Sequence, residues 1–251
     1  MGRTVSEAPA SADTWRVAAL TMMSADELRS ALLRDGAWVR SAASYGIAAA
    51  QLRLGRMLLE GEGVAKDQSA AFENFRKASI QGDIEAHNML GRCHENGWGT
   101  NVNQLEAAHH YRIAAEAGFD WAQYNLGHMR LSGHGGPPDR EQAFGWYNRA
   151  AAQGHVRAMN LVGRCHEQGW GTPCDPGAAL FWYRQSARGG YFRGAFNYAS
   201  VLATRGCLAG ARFWFTRAID AAPEPSRSNM IALLSARQRG EMVAEGSLAS
   251  V

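Results

Sequence analysis

The chain has 251 residues, of which 46% are hydrophobic and 20% charged, a composition typical of an ordinary folded protein with a sizeable core. Its formal net charge of +3 is too small to indicate a nucleic-acid-binding protein by itself. There is no apolar run of about 18 residues and no apolar core of a secretory signal, so we predict no membrane span and a cytoplasmic location. The four cysteines lack CxxC spacing and are expected to be free thiols.

Glycines recur along the chain with a constant period of 36 residues. The four series are Gly46, Gly82, Gly118, Gly154 and Gly190; Gly55, Gly91, Gly127 and Gly163; Gly61, Gly97, Gly133 and Gly169; and Gly63, Gly99, Gly135 and Gly171. Four series with one period are not expected by chance. A fixed period of this length indicates a stack of repeated structural units, which we call repeats.

Each repeat begins with a helical pattern that we call helix A. In the second repeat it covers residues 84–96. Its apolar face, at helical spacing, consists of Ala86, Met89, Leu90 and Cys93. Gly91 interrupts this helix, where glycine costs roughly 1 kcal/mol relative to alanine. Its recurrence predicts that a second helix approaches too closely there for a side chain.

The second helix of each repeat, helix B, follows a Gly-x-Gly turn whose glycines can adopt positive φ. An Asp or Asn, the residues favoured as N-caps, precedes it at Asp67, Asn103, Asp139 and Asp175. Aromatic residues recur within it at Phe75, Tyr111, Tyr147 and Tyr183. The predicted fold class is therefore all-α, a right-handed α-α superhelix, or solenoid, of paired helices.

We divide the chain into a mostly disordered N-terminal tail, a repeat solenoid, and a C-terminal capping helix with its tail. These segments cover residues 1–23, 24–222 and 223–251. The solenoid contains a half repeat, regular repeats at 47–82, 83–118, 119–154 and 155–190, and a shortened fifth repeat at 191–222.

Both ends of the array depart from the regular pattern, as expected of capping units. The half repeat pairs a helix over 25–34, which should stop at Gly36, with a helix-B pattern over 38–43. In the fifth repeat, helix B arrives four residues early, so its A–B turn should be shorter. Residues 226–239 predict a final capping helix, while residues 1–12 and 241–251 are expected to be disordered.

The repeat resembles the Sel-one-like repeat family, relatives of the tetratricopeptide repeats. The matching residues include Leu90-Gly91, Gly97-Trp98-Gly99 and Tyr111 in the second repeat, and Gly163, Gly169-Trp170-Gly171, Trp182-Tyr183 and Ala187 in the fourth. The resemblance covers residues 37–222. It implies a non-catalytic scaffold or adaptor that holds a peptide or protein partner on a concave surface formed by helix A. The chain departs from the family at the helix A tyrosine, where Leu58, His94, Arg130 and His166 stand instead.

Candidate partner-binding residues are those on the predicted exposed face of helix A. They are Arg56, Glu85, Asn88, Arg92, Glu95, Trp121, Tyr124, His128, Arg157, Asn160, Arg164 and Glu167. A basic series runs through Arg56, Arg92, His128 and Arg164, and it could clamp carboxylates while Asn88 and Asn160 hold a peptide backbone. The same arginines could instead form i, i+3 ion pairs with Glu95 and Glu167 on a solvated helix.

Trp121 and Tyr124 offer a possible aromatic anchor pocket, since aromatic side chains dominate binding hot spots. Packing between repeats is the alternative for both residues, and more so for Tyr124.

No catalytic residue, metal site or cofactor is predicted. Cys93-His94-Glu95 and Cys165-His166-Glu167 resemble a thiol–imidazole pair, but adjacent helical residues point about 100° apart. The two cysteines replace apolar core residues of the other repeats and are predicted to be buried. The signatures of the common hydrolases and NTPases are absent from the sequence.

The partner is therefore predicted to be a protein or peptide, with an acidic one as the specific candidate, while the oligomeric state is left open. One alternative is a single-stranded RNA-binding helical repeat, but Glu85, Glu95 and Glu167 make nucleic acid an unfavourable ligand. Another alternative comes from the resemblance: a hydrolase of the cysteine-rich repeat type, acting on β-lactams. The chain lacks the cysteine spacing of that type.

Overall fold

The computed structural model of the protein describes residues 36–238, and the regular secondary structure within that range is entirely helical. The helices are α1 (Gly36–Ser44), α2 (Ala48–Glu60), α3 (Gln68–Ile80), α4 (Ile84–Asn96), α5 (Gln104–Glu116), α6 (Asp120–Ser132), α7 (Arg140–Ala152), α8 (Val156–Gln168), α9 (Pro176–Arg188), α10 (Phe192–Thr204), α11 (Leu208–Ala221) and α12 (Ser226–Gln238). The predicted all-α solenoid of paired helices with a 36-residue period is confirmed. None of the described helices is both long enough and apolar enough to cross a membrane.

The described residues form two compact units, which are treated separately below. The N-terminal unit contains residues 36–122 and 134–136, and the C-terminal unit contains residues 123–133 and 137–238. In the N-terminal unit, consecutive helices from α1 to α5 pack against one another. In the C-terminal unit, helices α7 to α12 pack in the same consecutive manner, and α8 also contacts α10. The core of each unit therefore lies between helices that are neighbours in sequence.

The B helices of the four regular repeats begin where the sequence supplies an N-cap. Asp67, Asn103, Asp139 and Asp175 each accept hydrogen bonds from backbone N–H groups of the following turn. Such a bond satisfies amides that the helix cannot pair internally. Helices α2, α4 and α8 end at glycines in the left-handed conformation, and Gly97 has a φ of 74° after α4. The predicted caps are thus confirmed, and α4 has the predicted bounds.

The glycine inside helix A lies under the aromatic ring of helix B. A Cβ atom placed on Gly91 would lie 2.6 Å from Cδ1 of Tyr111, and one on Gly163 would lie 2.7 Å from Cδ1 of Tyr183. Both tyrosine side chains are fully buried. The predicted reason for these glycines, a close approach of helix B, is therefore confirmed.

The two ends differ in how far the structure tests them. The helix predicted over 25–34 and the tails predicted to be disordered lie outside the described residues. Gly36, predicted to stop that helix, is the first residue of α1, and its predicted role stays a prediction. In the fifth repeat only three residues separate α10 from α11, as predicted, and Cys207 at the start of α11 forms no side-chain cap. The division of the chain into tail, solenoid and cap stays a prediction.

Candidate functional site

The predicted binding residues occupy α2, α4, α6 and α8, which are the A helices of the regular repeats. Exposure differs among them. Arg92, Trp121, Arg157 and Glu167 are exposed, whereas Arg56, Glu85, Glu95, Tyr124, His128 and Arg164 are half-buried. Asn88 and Asn160 are buried. The prediction of one uniformly exposed polar face is therefore wrong at the two asparagines.

Asn160 can be buried because another amide group satisfies its side-chain oxygen inside the protein. In the C-terminal unit, Nδ2 of Asn197 on α10 donates a hydrogen bond of 2.9 Å to Oδ1 of Asn160 on α8. Such a bond offsets the cost of removing the amides from water. Asn160 therefore joins two successive A helices.

The arginines of the basic series have different surroundings. In the N-terminal unit, Arg56 forms an ion pair with Glu85, and the guanidinium of Arg92 lies 4.9 Å from the ring centre of Trp98. In the C-terminal unit, Arg164 lies 5.1 Å from the ring centre of Trp170. Arg92 and Arg164 are thus held by cation–π contacts.

The alternative prediction, that Arg92 pairs with Glu95 and Arg164 with Glu167, is wrong. Each glutamate instead accepts a hydrogen bond from the tyrosine hydroxyl of its own helix B. The oxygen–oxygen distance is 2.6 Å from Tyr111 to Glu95 and 2.8 Å from Tyr183 to Glu167. The two carboxylates therefore satisfy buried tyrosine hydroxyls and do not pair with Arg92 or Arg164.

His128 is not the basic group that the sequence series predicted. Burial, reinforced by the positive charges of Arg164 and Arg193, lowers the pKa of His128 to about 4. The imidazole is therefore neutral at neutral pH, because desolvation disfavours its charged form. Its ring lies edge-on to Tyr124 with a centroid distance of 4.6 Å.

Tyr124 packs among other rings within the C-terminal unit. Its ring stacks on His155 with a centroid distance of 4.9 Å, and it also contacts Tyr147. This arrangement supports the packing interpretation of Tyr124. Trp121, at the start of α6, is 42% exposed.

The C-terminal unit contains a groove of about 180 Å³, which we call the α8–α10 groove. Most of its lining comes from α6, α8 and α10, the A helices of three successive repeats, and α12 adds Met230. The charged residues in the lining are Arg157, Arg164, Arg193 and Glu167. The groove thus brings together six predicted binding residues, namely Tyr124, His128, Arg157, Asn160, Arg164 and Glu167.

Arg193 and Tyr191 are groove residues that the sequence analysis did not identify. Arg193 stands one period of 36 residues after Arg157, so the repeat period could have identified it from the sequence. The candidate list ended at the fourth repeat, whereas the groove extends into the fifth.

The cysteine–histidine pairs are structural. All four cysteines are free thiols, and Cys93 and Cys165 are buried as predicted. Burial raises the pKa of the Cys93 thiol to about 12 and that of Cys165 to about 11, so both remain protonated. His94 and His166 lie edge-on to Phe72 and Phe144, respectively.

His110, on α5, is half-buried and contacts two other histidines. Its Nδ1 atom lies 3.0 Å from Nδ1 of His87, and its ring stacks on His94. Burial lowers the pKa of His110 to about 4. Within residues 36–238, no group of three or more His, Cys, Asp or Glu side chains is arranged to hold a metal ion.

Tyr147 lacks the hydrogen bond that Tyr111 and Tyr183 make. Leu131 stands where the second and fourth repeats have Glu95 and Glu167, and the buried Tyr147 hydroxyl has no partner among the described residues. An unsatisfied buried hydroxyl costs about 1 kcal/mol or more.

We therefore expect Tyr147→Phe to raise the free energy of unfolding by about 1 kcal/mol, because it removes that unsatisfied hydroxyl. The matched change Tyr183→Phe should lower it by about 1 kcal/mol, because it breaks a formed hydrogen bond. Urea unfolding followed by circular dichroism measures both. A loss of stability in Tyr147→Phe equal to that in Tyr183→Phe would show that the Tyr147 hydroxyl is satisfied.

Comparison with known proteins agrees with this arrangement. A Sel1 repeat protein from Oxalobacter formigenes matches with a TM-score of 0.65 and 27% identity over 84% of this chain and 82% of its own. The protein c5321, described as a protective antigen of uropathogenic Escherichia coli strains with an SLR fold, matches with a TM-score of 0.73 and 25% identity. That match covers 91% of this chain but only 52% of the antigen, so the chain spans about half of its length.

An immunity protein from Pseudomonas aeruginosa, Pa5087, shares the fold alone, with a TM-score of 0.51 and 17% identity over 69% of this chain and 66% of its own. No curated protein matches the chain. The Sel1 repeat model matches residues 48–83, 84–119, 122–155 and 156–191, which together make up more than half of the sequence. These segments coincide with the helix pairs that carry the candidate site, and the chain belongs to the Sel1 repeat family.

Proposed function

We propose that the protein is a non-catalytic scaffold that binds a peptide or protein partner through the exposed faces of its A helices. The observation that carries this proposal is the α8–α10 groove, where polar and aromatic side chains from successive A helices line one cavity. Stacked helix pairs present such surfaces to extended ligands. An acidic partner and a cytoplasmic location are part of the proposal.

The chemistry of the described residues favours binding over catalysis. The buried thiols remain protonated, and the candidate histidine His128 is neutral and packed against rings. A catalytic nucleophile instead needs a neighbouring base or a lowered pKa. Arginine and tyrosine, by contrast, are the residue types that contribute most to protein interfaces.

Site-specific photo-crosslinking tests the proposal. A photoreactive amino acid replaces Gln168, an exposed residue of the groove lining, and in a matched variant it replaces Arg184, an exposed residue of α9 outside the lining. After irradiation in cells of the source organism, mass spectrometry identifies the adducts. We expect a defined protein adduct at position 168 and none at position 184.

Adducts of equal yield at both positions, or at position 184 alone, would contradict binding on the A helices. RNA as the only adduct at position 168 would favour the nucleic-acid alternative. Equal thermal unfolding of the two variants serves as the control that the crosslinker has not disturbed the fold.

A further inference from the structure

The α8–α10 groove concentrates positive charge. Three arginines line it, and Glu167 is the single acidic residue of the lining. Arg164 and Arg193 are close enough for both charges to act on His128, and Arg157 and Arg193 both act on Tyr124. The three guanidinium groups therefore converge on one small space. Convergence of like charges is unfavourable unless a ligand offsets it.

Two of these arginines lack a carboxylate partner. Neither Arg164 nor Arg193 forms an ion pair with any of residues 36–238, and both are half-buried. Glu167, the one acidic residue of α8, instead accepts a hydrogen bond from the hydroxyl of Tyr183. A half-buried guanidinium forms strong, often bidentate, hydrogen bonds to a carboxylate because its donors match the two oxygens.

The rest of the lining suits a peptide better than a nucleic acid. The amides of Asn160 and Asn197 are paired with each other at the groove and can also bond a peptide backbone. The Tyr124 ring is stacked on His155 and forms a T-shaped contact with His128, so one of its faces is already covered. Base stacking on free aromatic faces is the usual means by which proteins hold single-stranded RNA.

We infer that the α8–α10 groove is a carboxylate-binding site, in which Arg164 and Arg193 hold an acidic side chain of a peptide segment. Arg157 adds positive charge at the edge next to Tyr191, whose ring centre lies 5.9 Å from its guanidinium. The inference rests on the proposed function, because it specifies the ligand chemistry of the same surface.

Binding of synthetic peptides to the full chain tests this inference. The probes are a blocked hexapeptide of alternating glutamate and alanine, its counterpart with glutamine for glutamate, and hexauridylate. Titration calorimetry gives the Kd, and NMR gives the pKa of His128. The glutamate peptide should bind at least about tenfold more tightly than the glutamine peptide, because charge-assisted hydrogen bonds require the carboxylate.

Substitutions then locate the site. Arg164→Gln and Arg193→Gln should each raise the Kd of the glutamate peptide about tenfold, whereas Arg164→Lys should raise it less. The matched control Arg184→Gln removes an exposed arginine outside the groove and should leave the Kd unchanged. Because a bound carboxylate offsets the charges of Arg164 and Arg193, the pKa of His128 should rise on binding.

The inference is overturned if glutamine and glutamate peptides bind equally, if no saturable binding occurs, or if the pKa of His128 stays constant on binding. Tighter binding of hexauridylate that is lost in Arg193→Gln would also overturn it, in favour of a phosphate ligand. If Arg164→Gln does not fold, the Kd of the glutamate peptide for Arg193→Gln tests the inference. A protein crosslink at position 168 without a preference for carboxylate would leave the scaffold proposal standing and remove only this inference.

Discussion

Replacing Gly171 with alanine is expected to lower the free energy of unfolding by about 3–5 kcal/mol, through backbone strain and overpacking together. Gly171 has a φ of +67° in the turn after α8, a conformation that L-residues rarely adopt. A Cβ atom there would also overlap the carbonyl oxygen of Arg140 and lie 2.8 Å from Cα of Glu141. Backbone atoms at the start of α7 cannot move aside as a flexible side chain can.

Gly206 provides the matched control for this substitution. Its φ is +76°, and a Cβ atom there would have no neighbour within 4 Å. Gly206→Ala should therefore cost only the strain of positive φ, about 1–2 kcal/mol. Comparing the free energies of unfolding of both variants in urea separates the cost of positive φ from the cost of steric overlap. Equal losses would mean that the approach of α7 to the turn does not constrain Gly171.

The second large effect concerns the pairing of Gly163 with Tyr183. Tyr183→Ala should lower the free energy of unfolding by about 3–5 kcal/mol, because it empties a fully buried site that faces a glycine. Gly163→Ala should also destabilise the protein, because its Cβ atom would lie 2.7 Å from two ring atoms of Tyr183.

The sign of the Gly163→Ala effect should reverse once the ring has been removed. In the Tyr183→Ala background, alanine at position 163 meets no ring and gains about 1 kcal/mol of helix propensity over glycine. A double-mutant cycle by urea unfolding measures this coupling. Additive losses in the double variant would refute a direct contact as the reason for glycine in helix A.

The helix pairs could be predicted from sequence because their determinants are local or strictly periodic. Asn103 accepts hydrogen bonds from amides only two and three residues away, so its role as an N-cap follows from its position. The close approach over Gly91 is equally predictable, because the same glycine–aromatic pair returns in each regular repeat. The family resemblance and the structural comparisons then agree on one fold.

The candidate site could be predicted only in part, because exposure and charge depend on neighbours in other repeats. Asn160 is polar and lies on the predicted exposed face, yet Asn197 makes its burial favourable. His128 occupies a position in the basic series, yet burial beside two arginines keeps it neutral. Arg193 also lines the groove, but it lies in the fifth repeat, whose shortened turn sets that repeat apart from the regular ones.

Side-chain hydrogen bonds within the helix pairs repeat in every second repeat, whereas the glycines repeat in every one. In the first repeat, Gln81 donates a hydrogen bond of 2.8 Å to Gln51. In the third repeat, Gln153 donates one of 2.8 Å to Gln123. The second and fourth repeats instead use the tyrosine–glutamate bonds and the arginine–tryptophan contacts described above.

Chemically, the array is therefore an alternation of two kinds of helix pair, and neighbouring pairs are not interchangeable. At the positions of the tyrosine–glutamate pairs, the first repeat has Phe75 and Leu59, and the third has Tyr147 and Leu131. Consequently, a substitution that stabilises one repeat should be transferable to the repeat two places along the chain, not to the adjacent one. An array built from this sequence could be shortened or extended. To keep the side-chain hydrogen bonds within its helix pairs, it would have to gain or lose two helix pairs at a time.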